Sequence, residues 1–177
     1  MFSIDLYQLH NVSTPERFRA VMSEDGAIAA LRKAREQGKI RHIGITIHQA
    51  LDVMQEAIAL GEFETIMLLI NILDEEAVID QVLPQAKEAG IGVIAMKALS
   101  GGKLVPPGAD SNDPVVRGCL RYVLSLDTVH TALVGMKSEE EVRNNVAIAE
   151  EGGAMTKEER DELLRRIHER QGDLKRD

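Results

Sequence analysis

Cysteine and aromatic residues are scarce in this chain of 177 residues, which has one cysteine, no tryptophan, two tyrosines and three phenylalanines. A single cysteine excludes an internal disulfide, and it excludes an iron–sulfur cluster, which needs several thiolate ligands. Cys119 stands in an apolar stretch with helical spacing, where a thiol usually packs as a small hydrophobic side chain. We therefore expect a protein of the cytoplasm, which is a reducing compartment.

The sequence also lacks an excess of positive charge and a long apolar run. Its formal net charge is −8 and its isoelectric point is near 5.2, which argues against nucleic-acid and anionic-membrane partners. The longest apolar run, residues 65–73, is interrupted by Asn71 and is far shorter than the roughly 20 residues that span a bilayer. Residues 1–9 have no basic head, so we expect no signal peptide. A small-molecule partner is favoured.

Metal-ligand spacing is missing as well. The five histidines have neither i,i+4 spacing nor a cysteine partner, and there is no nucleophile elbow. We expect neither a metal site nor a hydrolase site.

What the chain does contain is the composition of an ordinary globular protein. Hydrophobic residues make up 44% and charged residues 28% of the sequence, and 177 residues are enough to bury one sizeable core. We expect a single domain over residues 1–177.

Strand and helix patterns alternate five times along the chain, and one more helix follows. The predicted strands cover residues 2–10, 41–47, 64–71, 91–97 and 128–135. The predicted helices cover residues 26–37, 49–60, 75–89, 114–126, 139–150 and 157–171, with loops at 11–25 and 98–112. Strands separated by helices imply parallel pairing, hence either a doubly wound sheet or part of a (β/α)8 barrel.

Several helix ends carry specific signals. Three starts have N-cap patterns, namely Asp113 before Pro114, Ser138 with Glu141, and Thr156 with Glu159. Asp74 is a further possible N-cap, for the helix at 75–89. Pro84 lacks a backbone donor, so it should kink or split that helix near Leu83. The tail after Gly172 should be loose.

Four segments resemble the aldo-keto reductase family. Ile-Asp-Leu-Tyr-Gln-Leu-His at 4–10 resembles its fourth strand, and Ala-Leu-Arg-Lys-Ala-Arg-Glu-Gln-Gly-Lys-Ile-Arg-His-Ile-Gly-Ile-Thr at 30–46 its fourth helix and fifth strand. Gly-Val-Ile-Ala-Met-Lys-Ala-Leu-Ser-Gly-Gly at 92–102 is similar to its seventh strand, and Ala-Leu-Val-Gly-Met-Lys-Ser at 132–138 to its eighth. The residues of these segments are most similar to those of a branch of the family that elsewhere carries an iron–sulfur module.

The resemblance implies a partial (β/α)8 TIM barrel, with about five parallel β-α units plus a C-terminal helix. A whole barrel needs about 250 residues, and the resemblance begins at the fourth strand. We therefore expect a shortened coding region, a truncated chain, or first strands that another chain supplies.

The resemblance also implies an oxidoreductase that passes hydride between NADP(H) and a carbonyl or alcohol substrate. The family's catalytic tetrad is Asp, Tyr, Lys and His, in which tyrosine donates the proton. Only the histidine has a counterpart here, His10, where a neutral imidazole could hydrogen-bond a carbonyl oxygen. A histidine that merely ends a strand is the alternative. The chain alone is expected to be catalytically incomplete.

Candidate cofactor-binding residues follow the predicted strands. Ser100-Gly101-Gly102-Lys103 offers backbone amides and a cation to a phosphate, although such a run is also typical of a flexible turn. Lys137 and Ser138 combine a cation with a helix N-terminus, which suits an adenosine 2′-phosphate as well as a simple cap. By resemblance the other candidates are Thr46, Asn71, Leu99 and Gly135, with Asn144 and Asn145 near the adenine.

Three positions depart from the family pattern around the nicotinamide. Ile47 stands where the family tends to have asparagine, Met67 where it has glutamine, and Ile70 where it has an aromatic residue that stacks on the nicotinamide. We expect nicotinamide binding to be weakened by roughly a few kcal/mol. A second hypothesis follows, in which the chain is a noncatalytic barrel remnant that self-associates through exposed strand edges and at most binds a dinucleotide.

Overall fold

The structure is a computed structural model, and it describes residues 3–73, 77–105 and 112–173, with side chains up to residue 170. The strands are β1 (Ile4–Leu9), β2 (Ile40–Ile47), β3 (Thr65–Leu69), β4 (Gly92–Met96) and β5 (Val129–Leu133). The α-helices are α1 (Pro15–Met22), α2 (Ala27–Glu36), α3 (Leu51–Ala59), α4 (Leu83–Glu88), α5 (Pro114–Leu124), α6 (Glu139–Glu151) and α7 (Lys157–Asp173). A π-helix (Val78–Val82) precedes α4, and a 3₁₀ turn (Ser100–Gly102) follows β4.

Five strands form one sheet in the order β1-β2-β3-β4-β5. The β1–β2 and β2–β3 pairs are parallel, with Leu9 beside Ile45 and Ile45 beside Ile66. This sheet, alternating with helices, confirms the α/β class that the sequence predicted.

The described residues fall into two compact units, the first with residues 3–69 and 77–94, the second with residues 70–73, 95–105 and 112–173. The sequence expectation of one domain stays a prediction. Among the described helices, none is both long and apolar enough to cross a membrane.

The core of the first unit lies on one face of its strands. Neighbouring strand residues such as Ile45 and Ile66 are almost fully buried, and side chains alternate between the two faces of a strand. Helix residues complete this core, notably Phe18, Ile28 and Val53. The opposite face carries polar and half-buried side chains.

Helix α1 corrects the sequence analysis, which expected a loop over residues 11–25. Thr14 is its N-cap and accepts a hydrogen bond from the backbone N–H of Arg17 at 3.2 Å, and Pro15 occupies the first turn. This start signal was present in the sequence. The sequence did not predict this helix because its eight residues include only one fully buried side chain, Phe18, which is too few to produce a helical pattern of apolar residues.

Near Pro84, where the sequence predicts a kink or a split, the backbone stays helical, but its hydrogen bonding changes from the π to the α pattern. The π-helix ends where α4 begins at Leu83, whose backbone N–H bonds to the carbonyl of Val78, five residues back. Pro84 follows directly and has no N–H to continue the ladder. Asp74 and the start of the helix predicted at 75–89 lie outside the described residues.

Helix α5 organises the second unit. Asp113 caps it, accepting from the backbone N–H of Val115 at 2.8 Å and from the Arg170 guanidinium of α7 at 2.8 Å. Desolvation by burial, and secondarily the charge of Asp113, raises the pKa of Cys119 to about 12. The thiol is fully buried, as expected of a small hydrophobic side chain.

One of the two predicted capping boxes forms fully, and the other forms in part. The Thr156 hydroxyl accepts from the backbone N–H of Glu159 at 3.2 Å, and the Glu159 carboxylate accepts from the backbone N–H of Thr156 at 2.8 Å. The Ser138 hydroxyl accepts from the backbone N–H of Glu141 at 3.2 Å, but the Glu141 carboxylate reaches one residue further, to the N–H of Lys137. The first helix turn of α6 is therefore held by two side chains.

Candidate functional site

A cleft of about 740 Å³ lies within the second unit. It is formed by the segment after β4, the end of β5 and the first turns of α6, with one residue from α5. Its lining consists of Lys97, Ala98, Leu99, Gly101, Gly102, Val105, Val116, Leu133, Val134, Gly135, Lys137, Glu141 and Asn145. This volume falls within the range of small-molecule sites, about 300–1,000 Å³.

The turn after β4 has an unusual backbone. Lys97, Ser100, Gly101 and Gly102 all have positive φ, at 58°, 50°, 66° and 94°. This conformation is costly for lysine and serine but not for glycine. A Cβ atom at either glycine would meet no atom within 4 Å, so the glycines are required by φ rather than by crowding, and the space beside them stays open.

Part of the backbone in this turn is already hydrogen-bonded. The N–H of Ser100 donates to the carbonyl of Lys97 at 2.7 Å, and the N–H of Gly102 donates to that of Leu99 at 2.9 Å. These two amides shape the turn, so a phosphate would depend mainly on the neighbouring cations for its attraction.

Charge in the cleft is of both signs. Lys97 follows β4 directly and is exposed, and Lys137 lies just before the start of α6. Glu141 is half-buried one turn into α6, and Asn145 follows one turn later. Two lysines and one glutamate thus line the same space, together with an asparagine whose side chain can both donate and accept.

Six of the candidate cofactor residues come together in the cleft, namely Leu99, Gly101, Gly102, Gly135, Lys137 and Asn145. Within the described lining, Ser100, Lys103, Ser138 and Asn144 are not included, although they belong to the same segments. Asn71 is buried, and its side-chain oxygen accepts from the backbone N–H of Leu73 at 3.0 Å. Asn71 therefore stabilises a local turn in the second unit.

The first unit carries the other candidates, beginning with His10. It is exposed directly after β1, and its ring meets the ring of His48 edge to face, with centroids 6.1 Å apart. The backbone N–H of His48 donates to the Ser13 hydroxyl at 2.8 Å, and that hydroxyl donates to the Asn11 side chain at 2.7 Å. His10 thus lies at the carboxyl end of its strand, as the sequence predicted, and its catalytic role stays a prediction.

Thr46 is 3% exposed, and its hydroxyl donates to the Gln8 side-chain oxygen at 3.0 Å, with the Met67 sulfur at 3.8 Å. In this arrangement the hydroxyl bonds to side chains of the neighbouring strands, and its role towards a cofactor stays a prediction.

Two charged residues of the cleft, Lys97 and Glu141, are not among the predicted site residues. Lys97 is the last residue of the strand predicted at 91–97, and parallel sheets bind ligands at that end of their strands, so it could have been found. Glu141 was identified only as part of a capping box, and nothing in that pattern distinguishes a carboxylate that also faces a cleft.

A parallel α/β sheet with ligand-sized space beside the ends of its strands is an arrangement typical of proteins that bind small molecules at the carboxyl edge of the sheet. The chain belongs to the Aldo/keto reductase family, whose sequence model matches residues 1–117. The resemblance seen in the sequence is thereby confirmed.

Individual relatives agree with this assignment. The chain is 25% identical over 173 residues to L-galactose dehydrogenase of Arabidopsis thaliana, covering 84% of this chain and 53% of that protein. The solved aldo-keto reductase of Bacillus halodurans, in its holo form, matches with a TM-score of 0.70 and 27% identity, over 92% of this chain and 58% of that one. The glycerol dehydrogenase of Gluconobacter oxydans shares the fold, with a TM-score of 0.67 and 22% identity, over 93% and 59% of the two chains. The chain therefore spans about half the length of the curated relative it matches.

Proposed function

We propose that the cleft of the second unit binds NADP(H), and that the chain serves an aldo-keto reductase reaction on a small carbonyl or alcohol substrate. The observation that carries this proposal is the convergence of six candidate residues on one cleft of suitable size. The bound cofactor would supply or accept the hydride. We propose a cytoplasmic location, which a single buried cysteine favours.

The residues present fit a dinucleotide phosphate in part. Lys97 and Lys137 provide positive charge, and the open space beside Gly101 and Gly102 lets a ligand approach the backbone. Asn145 can hydrogen-bond the edge of an adenine ring. Glu141 is the member of the set that does not suit an anion.

His10 is proposed to orient the substrate by donating a hydrogen bond to its carbonyl oxygen, since it is exposed at the end of β1. The tetrad's Asp, Tyr and Lys have no counterpart in the residues of this chain that resemble the family. We therefore propose that turnover needs groups beyond those of residues 1–177.

Calorimetric titration of the chain with NADPH tests the cofactor proposal. We expect micromolar binding, and Lys137→Met should weaken it about tenfold because one ammonium group is lost beside the phosphate. Lys157→Met is the matched control, since Lys157 is an exposed lysine at the start of another helix of the same unit and is not part of the cleft lining. Absence of binding up to millimolar NADPH would contradict the proposal.

Exposed apolar residues favour a second candidate, in which the chain associates with a second copy. The sheet ends in β1 and β5, and large apolar side chains there are about half exposed, with Ile4 at 51%, Tyr7 at 44% and Leu133 at 48%. Val146 of α6 is 50% exposed. Open strand edges with apolar residues tend to pair with another chain, and a second copy offers both edges.

Light scattering of the purified chain measures this association. We expect the mass of a dimer, and the double variant Ile4→Lys, Tyr7→Lys should shift it towards the monomer because buried lysines would oppose strand pairing. Leu60→Lys is the control, since Leu60 is 51% exposed at the end of α3 rather than on a strand. A wild-type chain that stays monomeric at high concentration argues against the second candidate.

A further inference from the structure

We propose that Glu141 is the residue that limits the preference of the cleft for NADPH over NADH. This inference rests on the proposed dinucleotide site and concerns its specificity. Glu141 lines the same cleft as Lys97 and Lys137, and it contributes a carboxylate where the proposed function requires attraction of an anion.

The carboxylate of Glu141 is held in place. It accepts a hydrogen bond from the backbone N–H of Lys137, while its own backbone N–H donates to the Ser138 hydroxyl at 3.2 Å. The second bond fixes the main chain of Glu141 and the first holds its carboxylate beside Lys137, so a ligand must break a hydrogen bond to displace the carboxylate. The N–H of Lys137 is also a donor that a phosphate at this helix start would use, so a phosphate must compete with a tethered carboxylate.

The two cofactors differ in how they meet this carboxylate. A phosphate monoester carries about −1.5 to −2 charges at neutral pH, so the 2′-phosphate of NADPH is repelled. NADH has a free 2′-hydroxyl, which can donate a hydrogen bond to a carboxylate, and acidic residues accept such a bond in other dinucleotide sites. Glu141 therefore opposes NADPH and assists NADH, while Lys97 and Lys137 act in the opposite sense.

The variant Glu141→Gln separates charge from structure. Glutamine serves in a capping box as glutamate does, so the bond to the Lys137 N–H and the start of α6 are retained. Glu140→Gln is the matched control, because it removes the same charge from the same helix turn but lies outside the lining of the cleft. Both variants remove one negative charge from the first turn of α6, so they change the electrostatic potential at this helix terminus equally.

Titrations of the wild type and both variants with NADPH and with NADH at low ionic strength test the inference. We expect Glu141→Gln to bind NADPH about tenfold more tightly and NADH two- to threefold (roughly) more weakly, with Glu140→Gln within about twofold of the wild type for both. The gain should shrink at high salt. An equal melting temperature for the wild type and Glu141→Gln confirms that the cap is kept.

The possible results distinguish a wrong role for Glu141 from a wrong assignment of the cofactor site. If both variants improve NADPH binding equally, or if Glu141→Gln leaves the ratio of the two affinities unchanged, the role of Glu141 is overturned while the cofactor site stands. If the wild type binds neither nucleotide, the proposed function fails and this inference fails with it.

Discussion

Replacing Phe18 with alanine should lower the free energy of unfolding by about 3–5 kcal/mol, the usual cost of removing a buried aromatic ring. Phe18 is 1% exposed and is the one fully buried residue of α1, which packs on α2 and α3. The alanine variant leaves a cavity at this contact and removes the anchor of a short helix. Urea unfolding followed by circular dichroism measures the loss.

Two further variants make this result interpretable. Phe18→Leu keeps most of the apolar volume, so a smaller loss is expected, and it serves if the alanine variant does not fold. Arg19→Ala changes the next residue, whose ion pair with Glu16 is exposed, and should leave stability nearly unchanged. A loss for Phe18→Ala no larger than that of Arg19→Ala would mean that α1 does not anchor the first unit.

Asp113→Ala should lower the stability of the second unit by about 2 kcal/mol, since it removes both a helix cap and the partner of Arg170. Asp113 accepts from the backbone N–H groups of Val115 and Val116 and from Arg170. Asp113→Asn keeps a good capping oxygen and loses only the charge, so its cost at neutral pH should be clearly smaller. Equal losses for the two variants would show that the ion pair outweighs the cap.

The same carboxylate gives the second unit a specific response to acid. Burial raises the pKa of Asp113. The hydrogen bonds from Arg170 and from the backbone of Val115 and Val116 lower this pKa by more than burial raises it, so the net pKa lies below its ordinary value. A lowered pKa stabilises the folded state above the unfolded pKa of about 3.9, and this contribution is lost as the pH falls through the folded pKa. Asp113→Asn should therefore flatten the fall in stability below about pH 4, and an unchanged acid limb would contradict this.

Much of the fold could be predicted because its signals are local. The predicted strand at 64–71 corresponds to β3, since a continuous apolar run is typical of a strand buried in a parallel sheet. The capping oxygens of Asp113 and Thr156 also follow from neighbouring residues alone. Helix α1 was missed because one anchor, Phe18, gives no periodicity.

The candidate site was predictable only where position after a strand determines it. Gly101, Gly102 and Lys137 lie in the segments that follow β4 and β5, and they line the cleft. The bond between Thr46 and Gln8 joins residues 38 positions apart, and it depends on strand register, which a single sequence does not reveal. The second role of Glu141 likewise depends on which way a capping side chain faces.

Cys119 is an intrinsic probe for the opening of the second unit. It is the only cysteine in the sequence, and it is sealed inside α5 with a pKa near 12, so a thiol reagent can reach a reactive thiolate only when α5 opens. The rate of labelling therefore measures how often α5 opens. Nucleotide binding in the cleft, which includes Val116 of the same helix, would lower the rate at which Cys119 is labelled, so binding can be followed without adding a spectroscopic label.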